Sequence, residues 1–163
     1  MYRIYHNSPV GLLELTADET AVTGIYFADT GRKRDEENTS QVLKECIKQL
    51  TEYFSGKRKV FGIKVNPAGT PFQKSVWNEL LKIPYGETVS YGEIAERIGN
   101  PKSVRAVGLA NGCNPVSIII PCHRVIGKNG SLVGYGGGIE NKRYLLELEQ
   151  KYSGTGLFSS RTK

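Results

Sequence analysis

The hydrophobic pattern of the chain changes at a short stretch containing Pro and Gly, NPAGT, at residues 66–70. Before it, apolar residues alternate over short runs, as they do in β-strands, and one amphipathic stretch follows. After it, they recur every three or four positions, as in helices. Such a stretch is typical of a boundary between domains. We therefore expect an α+β chain, with a small α+β domain over residues 1–68, a mainly helical domain over residues 69–152 and a tail over residues 153–163.

The first domain is predicted to contain a three-stranded meander followed by a helix. Alternating apolar residues indicate strands at Tyr2–His6, Gly11–Ala17 and Ala21–Phe27. Ser40 can cap a helix over Gln41–Phe54, in which apolar residues form one stripe. Cys46 lies on that stripe and is expected to be a buried structural cysteine. A short strand near Phe61–Val65 would precede the boundary.

The second domain is predicted to contain a helix-turn-helix at residues 90–112. Ser90 and Glu93 form a capping box for its first helix, which ends at Gly99. A second helix over residues 100–112 follows a tight turn. Further helices are indicated on either side of this motif, at residues 71–83 and 140–150.

The second helix of this motif is poor in side chains that could read bases. Only Arg105 clearly qualifies, with Asn111 late in the helix. Ala106 and Gly108 are small and would let the helix approach a surface closely, either in a minor groove with Arg105 inserted or in ordinary helix packing. Together with the charge of the chain, this pattern favours DNA binding.

Cys122 follows an apolar run, Ile118 to Ile120, and is itself followed by His123 and Arg124. The run predicts a buried strand. A reactive thiolate needs nearby positive charge or a base, but neighbours on a strand point to opposite faces. Two interpretations stay open: a catalytic thiol, with a base acting directly or through a bridging water, and a buried structural cysteine beside a hydrogen-bonded histidine.

Composition excludes several classes of protein. The three cysteines are widely spaced and odd in number, so they indicate neither a disulfide framework nor a zinc site. The two histidines are too few for a histidine-rich metal site, and we expect neither metal nor cofactor. No run is long enough to cross a bilayer, and the N-terminus lacks the pattern of a signal peptide. We expect a cytoplasmic protein that does not bind membranes.

The charge is uneven along the chain. The net charge is +6 and the pI about 9.2. Residues 71–163 carry 12 Lys and Arg against 7 Asp and Glu, whereas residues 1–70 are nearly balanced. A basic half suggests a polyanionic partner such as nucleic acid, and an ordinary solvated surface explains it equally well.

A glycine cluster, GYGGG, occupies residues 134–138. Glycine permits unusual backbone dihedrals and close contact with a ligand. The cluster lacks the Gly-Lys-Ser/Thr ending of a phosphate-binding loop. Alone, it predicts a flexible loop.

Together these features resemble one family, the O6-alkylguanine-DNA alkyltransferases. Its active-site motif is PCHRV, found here at residues 121–125. The stretches GTPFQKSVW, IPYGETVSYGEIA, RAVGLANGCNPVSIIIPCHRVIG and GYGGGIENKRYLLELE also match, and the likeness is densest over residues 69–150. The resemblance implies a ribonuclease H-like first domain and a helix-turn-helix domain that holds the reactive cysteine.

The resemblance also implies catalytic roles. Cys122 would accept the alkyl group, His123 would activate it through a water, and Glu149 would orient the imidazole. Asn114 would hold the helix-turn-helix against the active-site segment. Tyr91 would lie near the flipped nucleotide, favour its rotation and aid departure of guanine.

DNA and base contacts are implied in the same way. Arg105 would replace the extruded base in the stack. The base pocket would be formed by Tyr135, Gly136, Val125 and Cys122, with the last two recognising the guanine amino edge through their carbonyl groups. The other DNA contacts would be Ser103, Ala106, Gly108, Tyr91 and Arg124. The family often has serine or alanine at position 136, and Val104 is bulkier than the alanine common there.

The resemblance therefore predicts a monomeric DNA-repair protein that acts on double-stranded DNA through the minor groove. It would move an alkyl group from O6-alkylguanine, and also from O4-alkylthymine, to Cys122 once per molecule after base flipping. Two other functions are compatible with parts of the pattern. One is a DNA-binding regulator with a sensing cysteine, and the other is a cysteine hydrolase with an oxyanion hole.

Overall fold

The computed structural model describes residues 1–153, which form two units. The first unit comprises Met1–Ala68 and Pro115–Ser117, and the second comprises Gly69–Asn114 and the chain from Ile118 onward. The first holds a small sheet and one helix, and the second is mainly helical. The predicted α+β fold class is therefore confirmed.

Four elements form the first unit: β1 (Tyr2–Ser8), β2 (Gly11–Ala17), β3 (Val22–Phe27) and α1 (Gln41–Phe54). The three strands are antiparallel in the order β1-β2-β3. Ser40 caps α1, as predicted, since its hydroxyl accepts a hydrogen bond from the Leu43 backbone N–H at 3.3 Å. Gly11 has φ +101, a backbone conformation that L side chains rarely adopt, where the turn enters β2.

The core of the first unit lies between the sheet and α1. Leu15 and Ile25 from the sheet and Leu43 and Leu50 from the helix are all fully buried. Cys46 is buried with them, and burial raises the pKa of its thiol to about 12. The prediction of a structural cysteine at this position is confirmed.

Two predictions about strands are wrong. Residues 61–65 do not form a strand, and only Val65 makes an isolated bridge, to Val22. Residues 118–120 do not form one either, although they are buried, because Ile118 turns the chain with φ +76. The residues just before that turn join the first unit, where Val116 makes a bridge to Ile25. A short apolar run predicts burial, but it does not distinguish a strand from a buried turn.

The second unit holds the remaining α-helices and strands in chain order: α2 (Pro71–Leu80), β4 (Val89–Ser90), α3 (Tyr91–Arg97), α4 (Val104–Gly112), β5 (Val125–Ile126) and α5 (Ile139–Ser153). The predicted helix-turn-helix is formed by α3 and α4. The capping box of Ser90 and Glu93 is present. Residues 100–103 lie in the turn and not in α4, so the second helix is shorter than predicted.

Two contacts fix the frame of the second unit. The Trp77 indole N–H donates to the Ala110 carbonyl at 2.8 Å and holds α2 against α4. β4 pairs in parallel with β5, with Val89 opposite Val125, which places the start of α3 beside the active-site segment. α5 runs to Ser153, into the predicted tail. The rest of that tail lies outside the described residues. None of the helices over residues 1–153 is long and apolar enough to cross a membrane.

Candidate active site

Cys122 begins a single turn of 3-10 helix, Cys122–Arg124. The Cys122 N–H donates to the Ile120 carbonyl at 2.8 Å, and the Arg124 N–H donates to the Pro121 carbonyl at 2.9 Å. These bonds curl the chain tightly, so the three side chains of the turn do not alternate as they would on a strand. The cysteine is only 4% exposed.

His123 is fully buried and bound to Glu149 of α5, with 2.6 Å between Nε2 and Oε2. Burial lowers the pKa of His123, although Glu149 raises it, so the imidazole is neutral near pH 7. Burial would raise the pKa of Glu149, but His123 and Arg124 lower it below its usual value. With an ionised Glu149, the proton of the neutral imidazole belongs on Nε2. The Nδ1 atom is buried and has no hydrogen-bond partner among the described residues, so it is left as a base.

Arg124 fixes the position of Glu149. Its Nε donates to Oε1 at 2.8 Å and a terminal nitrogen donates to Oε2 at 3.0 Å, the bidentate geometry of a strong ion pair. Its other terminal nitrogen donates to the Ile83 carbonyl at 2.7 Å. The predicted DNA contact by Arg124 is therefore wrong, because its guanidinium group is buried and bound within the protein. The ion pair with Glu149 shows that Arg124 holds the active site together and does not contact DNA. Its position next to Cys122 and His123 in the sequence could not distinguish these two roles.

Two asparagines hold the active-site turn from the side of α4. Asn114 donates from its amide nitrogen to the Ile120 carbonyl at 2.8 Å. Asn111 is buried and donates to the Cys122 carbonyl at 3.3 Å. Asn111 is thus a packing contact of the turn, and its interpretation as a late base-reading residue is wrong.

The Cys122 thiol has a raised pKa in the resting protein. Burial raises the pKa to about 11, while a hydrogen bond to Asn114 and the charge of Lys142 lower it. At neutral pH the group is a thiol, so its proton must be removed during attack. Nothing in the sequence pattern singles out Lys142, which the structure places near this thiol in the core of the unit.

Residues 127–138 form a loop between β5 and α5, which we call the lid. The Tyr91 hydroxyl, from the first residue of α3, donates to the Val133 carbonyl of the lid at 3.0 Å. Tyr135 is partly exposed, while burial of its hydroxyl raises its pKa well above the usual value. Gly136 is exposed, and a Cβ added there would meet only the Gly112 carbonyl, at 3.9 Å.

The other predicted DNA contacts lie on α4 or at its start. Arg105 and Ala106 are exposed, whereas Ser103 and Gly108 are partly exposed. Ser103 uses its hydroxyl to donate to the Asn100 carbonyl at 2.6 Å, inside the turn. Two large apolar side chains share the exposed surface of the helix, Val104 at 39% and Leu109 at 73%.

Two family models cover nearly all of the described chain. The 6-O-methylguanine DNA methyltransferase ribonuclease-like domain matches residues 1–67, and the DNA binding domain of the same family matches residues 71–151. The chain belongs to the 6-O-methylguanine DNA methyltransferase family. The resemblance seen in the sequence is confirmed.

Relatives and solved structures agree with this membership of the methyltransferase family. The chain is 51% identical to the methylated-DNA–protein-cysteine methyltransferase of Methanosarcina acetivorans over 154 residues, covering 91% of this chain and 98% of the relative. It superposes on Mycobacterium tuberculosis OGT in complex with DNA with a TM-score of 0.86 at 45% identity, covering 93% and 94% of the two chains. For the O6-methylguanine DNA methyltransferase of Methanococcus jannaschii, the TM-score is 0.68 at 29% identity, with 90% and 92% covered.

Proposed function

We propose that this protein is a methylated-DNA–[protein]-cysteine S-methyltransferase that moves an alkyl group from O6-alkylguanine in double-stranded DNA to Cys122. The single observation that carries the proposal is the arrangement around His123. Its Nε2 is held by an ionised Glu149 that is itself paired with Arg124, and its buried Nδ1 has no partner among the described residues and can accept a proton. Cys122 precedes it in the same turn. This is the orienting logic of a catalytic triad, with a thiol as the nucleophile.

The reaction balances without a cofactor. The Cys122 thiol gives its proton to His123 through a bridging water as the sulfur attacks the alkyl carbon. The S–C bond forms while the C–O6 bond breaks, and the bonding pair stays on the guanine oxygen. Returning one proton to the base yields neutral guanine, while Cys122 becomes a thioether. Since no group beside it could cleave a thioether, each molecule reacts once.

The alkyl carbon must reach a buried thiol, so the target base has to leave the duplex. Flipping a base costs a few kcal/mol. Arg105, exposed on α4, would fill the vacated place in the stack, and the small Ala106 and Gly108 would allow a close approach to the minor groove. Tyr91, Tyr135 and Gly136 would line the space that the flipped base enters, since the charge of Cys122 acts on both tyrosines. Tyr91 would exchange its bond to the lid for one to the base.

Several finer features belong to the same proposal. We infer that the protein acts as a monomer in the cytoplasm, with residues 1–68 and 69–152 as its two domains. O4-alkylthymine would be a second substrate, because its alkyl group is also carried by an exocyclic oxygen. Three free cysteines suit a reducing compartment.

Mass spectrometry tests the proposal directly. The protein is mixed with a duplex that contains one O6-methylguanine, and both intact protein and peptides are measured. We expect one methyl group on the Cys122 peptide, stoichiometric with guanine restored in the DNA, and no second turnover. Tight binding to the lesion without an adduct would instead indicate a damage sensor. Equal binding to damaged and intact duplex without an adduct would indicate a regulator, and sustained release of product from an ester would indicate a hydrolase.

A further inference from the structure

Lys142 occupies a position that is unfavourable for a lysine. Lys142 is fully buried, although lysine is among the residues least often found buried. It also lies in the first turn of α5, where its N–H bonds to the Gly138 carbonyl and where the helix dipole disfavours a positive charge. Positions that break such rules are often functional. The contacts of Lys142 show which function it could have.

The ammonium group of Lys142 joins two segments of the site. Nζ donates to the Val125 carbonyl at 2.6 Å, at the end of the active-site turn, and to the Val133 carbonyl at 2.8 Å, in the lid. The Val133 carbonyl also accepts the bond from Tyr91, whose ring centroid lies 5.9 Å from Nζ. One side chain therefore holds both the lid and the Val125 carbonyl group, which is the proposed acceptor for the guanine amino group.

The charge of Lys142 also acts on Cys122. A neutral amide could hold two carbonyl groups equally well, so hydrogen bonding alone does not require a lysine. Burial lowers the pKa of Lys142 to about 8, while the charge of a Cys122 thiolate raises it. Glu149, two helical turns further along α5, has its charge balanced by Arg124. Lys142 is thus left as the positive charge that acts on the thiolate.

We propose that Lys142 is a positioning residue for alkyl transfer, whose buried ammonium group holds the Val125 and Val133 carbonyl groups in place and stabilises the Cys122 thiolate during attack. The inference rests on the proposed function, because it concerns the same thiol and base pocket. Two side chains of α5 would then have different tasks. Glu149 keeps the base His123 oriented, and Lys142 stabilises the Cys122 thiolate that forms when the proton is removed.

The test compares Lys142→Met, which removes the charge and the donors, with Lys142→Arg, which keeps both. Lys44→Met is the matched control, since Lys44 is an exposed lysine on α1 in the first unit. The rate of alkylation by iodoacetamide is followed against pH on the Cys122 peptide, because Cys113 is exposed and also reacts. Two other titratable side chains act on the thiol, Tyr91 of α3 and Tyr135 of the lid, and both are the same in all variants.

Iodoacetamide needs only the thiolate, whereas free O6-benzylguanine also needs the base pocket. For Lys142→Met we expect the apparent pKa of Cys122 to rise by about one unit, which slows iodoacetamide about tenfold at pH 7. We expect O6-benzylguanine to slow by about a hundredfold, because two carbonyl groups lose their donor as well. Lys142→Arg should recover part of both losses, and Lys44→Met should match the wild type.

An unchanged pH profile of Cys122 in folded Lys142→Met would overturn the proposal. If that variant does not fold, Lys142→Arg is compared with Lys142→Gln, which keeps donors but no charge, and equal profiles would overturn it in the same way. The iodoacetamide rates do not depend on DNA repair. A wild-type protein that reacts with iodoacetamide but takes no methyl group from DNA would therefore contradict the proposed function, while the Lys142 comparison still decides this inference.

Discussion

Two cysteines are buried in this protein, one in each unit, and their surroundings differ. Cys46 packs among apolar side chains of α1 and the sheet, and burial alone sets the pKa of its thiol at about 12. Cys122 is buried almost as deeply, but Asn114 and Lys142 oppose the effect of burial. The comparison shows that burial alone makes a thiol unreactive. Polar side chains from other parts of the fold, here Asn114 and Lys142, make a buried thiol more reactive.

The largest expected effect comes from replacing each cysteine by serine. Cys122→Ser should abolish alkyl transfer and leave DNA binding largely intact, because the serine hydroxyl is a poor nucleophile of similar size. Cys46→Ser should retain transfer and lose about 1–3 kcal/mol of stability, because it buries a hydroxyl in an apolar core. Methyl transfer and thermal unfolding measure both outcomes. Alkyl transfer by the Cys122→Ser variant would contradict the conclusion that Cys122, and not Cys46, is the acceptor.

The second effect concerns the charged groups that only the second unit buries. Within residues 1–153, the buried charged side chains are Arg124, Lys142 and Glu149. Glu149→Gln should slow transfer by at least about a hundredfold, since exchanging the carboxylate of a triad for an amide costs about 10⁴ in the serine proteases. It should also destabilise the protein by about 3 kcal/mol, because Arg124 is left buried without its partner. Arg143→Ala, which disturbs only an exposed pair with Glu140, is the control.

The same groups give the stability a pH dependence of known sign. The pKa of Glu149 and that of His123 are both lowered in the folded protein. Their contributions are therefore present above their unfolded values, about 4.3 and about 6.5, and are lost as the pH falls below them. The Tm should decrease from pH 7 to pH 4, and Glu149→Gln should flatten the lower part of that curve. A Tm that rises on acidification would contradict the assignment of both groups.

Much of this arrangement could be predicted from the sequence, and the reasons differ between regions. Periodicity and capping residues predicted β2 and α1 with correct bounds, because both signals are local. The role of Arg124 was not predictable in this way, since its partner Glu149 lies 25 residues further along the chain. Lys142 carries no signal at all in the sequence, because a lysine on an amphipathic helix is normally exposed. Contacts between distant residues determine which charges are buried.

The third effect separates the chemistry at Cys122 from the delivery of the base. Arg105→Ala should slow repair of duplex DNA by about tenfold or more, because no side chain fills the vacated stack, and should leave the reaction with free O6-benzylguanine nearly unchanged. Arg143→Ala, another exposed arginine, should change neither rate. Single-turnover rates with both substrates provide the measurement. Equal slowing of both by Arg105→Ala would exclude the role of Arg105 in the stack.

The smallest effect tests two glycines of the lid. Gly134 has φ +66, and a Cβ there would lie 3.3 Å from the Tyr91 hydroxyl. Alanine at this position costs about 1–2 kcal/mol of backbone strain and would disturb the bond between Tyr91 and Val133, so we expect a several-fold slower reaction with O6-benzylguanine.

Gly136→Ala provides the matched control for Gly134→Ala. Gly136 has no positive φ, and its nearest neighbour would be 3.9 Å from an added Cβ. That variant should react at nearly the wild-type rate, because an ordinary van der Waals contact leaves the lid in place. A larger loss from Gly136→Ala than from Gly134→Ala would mean that the flipped base requires close contact with position 136. The difference in reactivity between Cys122 and Cys46 would then depend on how the flipped base reaches the thiol, and not only on the pKa of the thiol.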